Sequence, residues 1–248
     1  MNWRLVMWLV GLALPGVVTM SWLALPLIVD TSALPLPLAA VQLASMAQST
    51  VMVFVAAMIG AALAPKTGLT APFISALIAR RPIGDGRLGG IGRSILVPGI
   101  VGGALGAAIV VVFHANAPAA LSDMRETATI PLIVRVLYGG ITEEVLIRWG
   151  LMSLFVWIGW RLAGVREGSP SAAVVWFAIA LSAVLFGLGH LPAVIAATGG
   201  VTASTVIYVT VGNALFGFIA GYLFWRRGLE AAILAHCLAH LFAFLVHG

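Results

Sequence analysis

The chain has 248 residues, 62% of them hydrophobic and 8% charged, with 13 basic against 8 acidic residues and a formal net charge of +5. Soluble domains carry about 25% charged residues, so this chain has too little charge to cover a water-facing globule, and a soluble domain is excluded. The basic excess lies between apolar segments, not in a run interleaved with aromatics, which points to membrane topology and to no nucleic-acid partner.

Seven apolar segments of about bilayer length (~20 residues) follow in chain order: 5–29, 38–64, 94–114, 129–160, 172–191, 203–225 and 229–246. The first is too long for a signal-peptide core and has no convincing cleavage site, so it reads as a retained span. Pro15 and Pro26 are expected to kink or end it. The stretch from Pro65 to Arg93 is the longest polar excursion. Within it, Ala71–Ala79 is predicted as a short interfacial helix ending in the basic stop Arg80-Arg81-Pro82. The fourth segment is longer than a span needs, so tilt, projection or a break near Gly150 is expected. The sixth carries Asn213, Gly217 and Gly221 at spacing four, a stripe suited to close helix packing, with Asn213 able to line a cavity.

Arg4, the 66–93 loop, the Arg161–Arg166 loop and Arg226-Arg227 alternate with Asp30, the Asp123-Arg125-Glu126 stretch and the uncharged Pro192–Thr202 loop. The positive-inside rule then puts the N-terminus in the cytoplasm and the C-terminus outside. The lone Cys237 rules out an intrachain disulfide framework. Sparse lysine beside heavy Ala and Gly use is compatible with a GC-rich bacterial genome, hence a bacterial cytoplasmic membrane.

Thr142-Glu143-Glu144-Val145-Leu146-Ile147-Arg148 interrupts the fourth segment. Each charge there costs at least ~2.5–3.5 kcal/mol in a bilayer centre, so a compensating partner is required. Glu144 and Arg148, four apart, can pair on one helix face. Glu143, rotated by about 100°, is left for another task, such as general acid–base work. His190 follows Phe186 by one turn at the end of the fifth span, where Gly187 and Gly189 leave the helix thin. His236 and His240 share a face of the last span. That spacing suits a metal such as zinc, with Glu143, His190, His236 and His240 as candidate ligands. It equally suits two donors that stabilise an oxyanion. Cys237 is read as a packing residue, and His114 and His247 as interfacial. No Gly-x-Ser-x-Gly elbow is present, and Ser182 has no base at fixed spacing.

Depth counts against simple convergence. At ~1.5 Å per residue, His236 lies about 13 Å from Arg227 and His190 nearer 30 Å from the start of its span. Tilts, breaks or shifted boundaries must bring them together.

Glu143-Glu144-x-x-x-Arg148, Phe186-x-x-x-His190 and His236-x-x-x-His240, in this order on late spans, resemble the CPBP family. That family comprises the type II CAAX prenyl endopeptidases and the bacteriocin-processing or immunity proteins, also called the ABI family. The resemblance covers roughly residues 125–246, about half the chain, and leaves 1–124 as less diagnostic spans of one membrane domain. It implies an intramembrane endopeptidase acting on a membrane-anchored peptide or protein. Glu143 would activate water, His190 would assist and His236 would stabilise the oxyanion. Glu144 and Arg148 would support them, with Phe186, His240 and Asn213 nearby. A glutamate mechanism without a cofactor is favoured, and zinc is kept as the variant. The last motif usually ends in Asn or Asp, and here His240 takes that place. The rival readings are a non-proteolytic scaffold or immunity-type protein and a proton- or ion-coupled transporter. The expected fold class is all-α, a polytopic transmembrane bundle of about seven spans with one interfacial helix.

Overall fold

The computed structural model describes residues 1–80, 87–118, 121, 130–164 and 168–247. The charges Arg81, Asp123, Arg125, Glu126 and Arg166, used above for topology, lie outside the described residues, as does Pro82 of the basic stop. All regular structure among the described residues is helical. Among the described residues seven helical segments are long and apolar enough to cross a membrane, and each coincides with one of the seven apolar segments read from the sequence. The chain is a multi-pass membrane protein.

In chain order the helices are α1 (Trp3–Ile28) and α2 (Leu38–Thr67), α3 (Pro72–Ile78), α4 (Arg87–Ala115) and α5 (Leu132–Leu162). Then come α6 (Ala172–Gly189), α7 (Leu191–Thr198), α8 (Ala203–Arg227) and α9 (Leu229–His247). Pro15 does not end α1. The helix runs on to Thr19, widens into a π-helical turn over Met20–Ala24 and stops two residues after Pro26. Asp30, fully exposed in the next connection, accepts from the Ser32 hydroxyl and backbone N–H. Those bonds hold its carboxyl below the ordinary range.

α5 carries the organising stretch, and it does not break at Gly150. It stays helical, but Arg135–Thr142 and Val145–Met152 are wound as π-helix. Glu143 and Glu144 are the two residues between the wide stretches. π-winding is rare, occurs mostly as single turns inside α-helices and is frequent at functional sites. Side-chain hydroxyls support it: Thr142 Oγ1 lies 3.2 Å from the carbonyl of Leu137, five residues back, and 2.8 Å from that of Ala13 on α1.

α5 is wedged between α2 on one side and α6, α8 and α9 on the other. Trp149, 1% exposed, donates from Nε1 to the Ala57 carbonyl at 3.2 Å. Its ring and backbone fill the space where a side chain at Gly60 would stand. Gly150 likewise packs on Ala56. The short α3 forms where the sequence suggested an interfacial helix, and it fastens the start of α9. Glu230 Oε1 accepts from Ile74 N at 2.8 Å, and Leu229 N donates to Thr70 O at 2.9 Å. This fixes the origin of the helix that carries His236 and His240.

Gly60→Val is expected to destabilise the protein by about 1–3 kcal/mol through overpacking against Trp149. Gly89→Ala, whose Cβ would meet nothing within 4 Å, should keep stability or raise it by about 0.5–1 kcal/mol. Thermal unfolding of the two variants in detergent checks the pair.

Candidate active site

Glu144 is the centre of the polar cluster. Its side chain is fully buried and Arg148 is 1% exposed. Glu144 Oε2 lies 3.3 Å from Arg148 Nε, an ion pair by distance without hydrogen-bond alignment. The pairing read from the i, i+4 spacing is therefore present. Glu144 Oε1 does a second job that the spacing could not indicate: it accepts from His236 Nδ1 at 2.8 Å, across 92 residues of chain. Arg148 Nη2 donates to the Gly217 carbonyl at 3.3 Å, and its guanidinium carbon stands 4.8 Å from the centre of the Phe186 ring. One carboxylate thus ties α5 to α9, and its arginine reaches α8 and α6.

Glu143 points elsewhere, as the helix geometry required. Its Oε1 is 4.0 Å from His190 Nε2, with His190 33% and Glu143 17% exposed. His190 sits at the junction of α6 and α7, and its Nδ1 donates to the Phe186 carbonyl at 2.8 Å. A carbonyl oxygen can only accept, so the proton of the neutral imidazole is on Nδ1 and the lone pair on Nε2 faces Glu143.

Phe186 is in ring contact with both His190 and His236. Its ring is edge-on to His190 with centroids 4.8 Å apart and edge-on to His236 at 6.0 Å. Phe216 also packs on His236, with centroids 4.5 Å apart. His240 lies nearly parallel to His236 at 4.9 Å and 23°, seated on Gly139, where an added Cβ would come within 2.7 Å of His240 Nε2. Gly140 takes Cys237 Sγ in the same way at 2.5 Å. Cys237 therefore belongs to the α5–α9 seam, in keeping with a packing role.

A cavity of about 280 Å³ opens beside this cluster, and its wall includes Phe186, His190, Asn213, Phe216, His236 and His240. Asn213 therefore reaches the cavity, with Nδ2 donating to the Val209 carbonyl at 2.8 Å. Glu143 is not part of that wall and meets the cavity through His190. Gly217 and Gly221 serve packing, against Ala183 and Ile179. Gly187 admits the backbone of Thr210, while Gly189 faces open space. His114 is exposed at the end of α4, and the side chain of His247 lies outside the described residues. Among the described residues no three His, Cys, Asp or Glu side chains form a group that could hold a metal.

Sequence reasoning missed the Glu144–His236 bond and the Gly139-Gly140 seat. Adjacent glycines, each four residues before one of the adjacent acids, were a usable signal for close approach. A contact between distant helices left no local mark.

Residues 125–242 match the family model described as type II CAAX prenyl endopeptidase, Rce1-like. The stretch spans just under half of the chain and contains Glu143, Glu144, Arg148, His190, His236 and His240. The family resemblance read from the motifs is borne out over these residues. No curated protein and no solved structure matches the chain.

Replacing Glu144 by Leu leaves Arg148 as an unpaired buried cation, and a loss of about 3–5 kcal/mol of stability is expected. The double variant Glu144→Leu/Arg148→Met should recover much of that loss, because no charge is left uncompensated. Equilibrium unfolding of the single and double variants measures the difference.

Proposed function

We propose that the protein is an intramembrane endopeptidase that hydrolyses a peptide bond of a membrane-associated substrate, with water activated between Glu143 and His190. The observation that carries this reading is the facing of two acceptors. Glu143 Oε1 and His190 Nε2 stand 4.0 Å apart, too far for a direct hydrogen bond. With the imidazole proton held on Nδ1 by Phe186, neither atom can donate to the other. A water about 2.8 Å from both would see them at an angle of roughly 90° and give one O–H to each.

The water oxygen attacks the scissile carbonyl carbon as Glu143 takes a proton from it. The carbonyl oxygen becomes an oxyanion beside His236. To donate to it, His236 must carry a proton on Nε2 as well as on Nδ1, and Glu144 supplies the counter-charge. The C–N bond then breaks, and the proton held by Glu143 passes to the leaving amine, giving a carboxylic acid and an amine. Among the described residues no three His, Cys, Asp or Glu side chains are grouped to hold zinc, and the proposed route runs through Glu143, His190 and His236. Glu144 and Arg148 act by position: they fix where His236 points. His240 and Asn213 line the adjoining cavity, where an extended segment of substrate would lie within the bilayer.

Glu143→Gln should lower cleavage of a membrane-anchored reporter peptide by about 10²–10⁴-fold, the contribution typical of a general base, while the unfolding midpoint stays near that of the wild type. Wild-type cleavage in a folded Glu143→Gln protein would refute the assignment. If the wild type itself cleaves no peptide, a non-proteolytic scaffold accounts better for the cluster.

A further inference from the structure

The cavity beside the histidines is off-centre along the bundle. It touches α4 from Gly106 to Phe113, α8 from Tyr208 to Phe216, and the junction of α6 and α7 from Phe186 to Val194. At ~1.5 Å per residue, Phe113 stands about 30 Å from Arg93 on α4, Tyr208 about 28 Å from Arg227 on α8, and His190 about 27 Å from the start of α6. A hydrocarbon core is ~30 Å thick. The cavity therefore lies toward the membrane face away from Arg93 and Arg227.

Exposure rises in the same direction. Glu144 and Arg148 are sealed, whereas His190, at the far end of α6, is a third exposed. Toward the arginine end the bundle is closed. Met152 and Val156 of α5, Val175 and Ile179 of α6, and Phe224 of α8 are buried in one apolar core. Phe224 meets Trp149 there with ring centroids 6.2 Å apart. Among the described residues, that core leaves no polar route from the arginine end to His190.

Charge marks the two ends. Arg4, Lys66, Arg80, Arg93, Arg161, Arg226 and Arg227 are all exposed at the end away from the cavity. Among the described residues, Arg135 is the one Lys or Arg near the cavity end, where Asp30 is also exposed. Basic residues concentrate on the cytoplasmic side of membrane proteins.

We propose that the cavity opens away from the cytoplasm and admits a peptide segment of an exported chain that is still anchored in the membrane. The wall holds no Asp, Glu, Lys or Arg side chain, and Phe113, Phe186, Tyr208 and Phe216 contribute aromatic rings to it, so the segment that enters carries uncharged side chains. The sidedness follows from charge and packing alone; the assignment of a peptide as the occupant rests on the hydrolase reading.

The test has two arms. In a Cys237→Ala background, single cysteines at Ser32, Ala193 and Arg161, all exposed positions, are treated with a membrane-impermeant maleimide in intact bacterial spheroplasts. Ser32→Cys, beyond α1, and Ala193→Cys, in the cavity wall, should be labelled; Arg161→Cys should be labelled only after permeabilisation. The reverse pattern, or an Ala193→Cys that needs permeabilisation, would overturn the opening. In the second arm, one uncharged, single-span-anchored reporter segment is placed on either side of the membrane. Cleavage that is lost in Glu143→Gln should occur only for the exported form, and cleavage of the cytoplasmic form would overturn the substrate class. Labelling as expected with neither form cleaved would count against the hydrolase reading and leave the sidedness standing.

Discussion

The bond between a fully buried carboxylate and two cationic or cation-forming partners is the constraint on which the rest of this structure depends. Glu144 shares its two oxygens between Arg148 and His236. Taken singly, a carboxylate or a guanidinium inside a bilayer-length helix opposes folding. Together, and with the Gly217 carbonyl taking one N–H of the arginine, they demand that α5, α8 and α9 meet at one point. Apolar burial does not discriminate between helix rotations in lipid, where small residues and polar contacts govern association. The Glu144 hub therefore supplies the rotational and axial register that the apolar faces cannot.

The same hub divides labour between two neighbouring acids. Glu144 is consumed by structure, which leaves Glu143 partly exposed and facing a histidine. The two histidines are set by their second partners. A backbone carbonyl at Nδ1 leaves His190 with a lone pair aimed at Glu143, whereas His236 donates from Nδ1 to the Glu144 carboxylate. Both rings thus present Nε2 free, as an acceptor in His190 and, once His236 takes up a second proton in the proposed reaction, as a donor there. A hydrolytic site needs both: one to hold water and one to meet an oxyanion. The glycines that admit His240 and Cys237 to α5 bring these groups within reach without widening the bundle.

The spans were legible because lipid leaves the backbone no partner except its own helix, so apolar length alone located them. The i, i+4 pair of Glu144 and Arg148 was legible for a similar reason: helix geometry makes it local. The wide winding around Glu143 and Glu144 was not. It depends on hydroxyls and neighbouring helices, and Gly150 looked like a break when it is a packing contact. The Glu144–His236 bond joins residues with no sequence relation to each other, and only the assembled bundle reveals it. The depth discrepancy between His190 and His236 came from counting along straight helices; in the structure Phe186 is in ring contact with both.

The most direct measurement is the ¹⁵N spectrum of histidine-labelled protein, with His236 assigned by substitution. If Glu144 is the hub, the His236 Nδ1 carries a proton in a strong hydrogen bond, and its resonance shifts markedly in Glu144→Ala. An unprotonated Nδ1 whose resonance is indifferent to the loss of Glu144 would contradict the account at its centre.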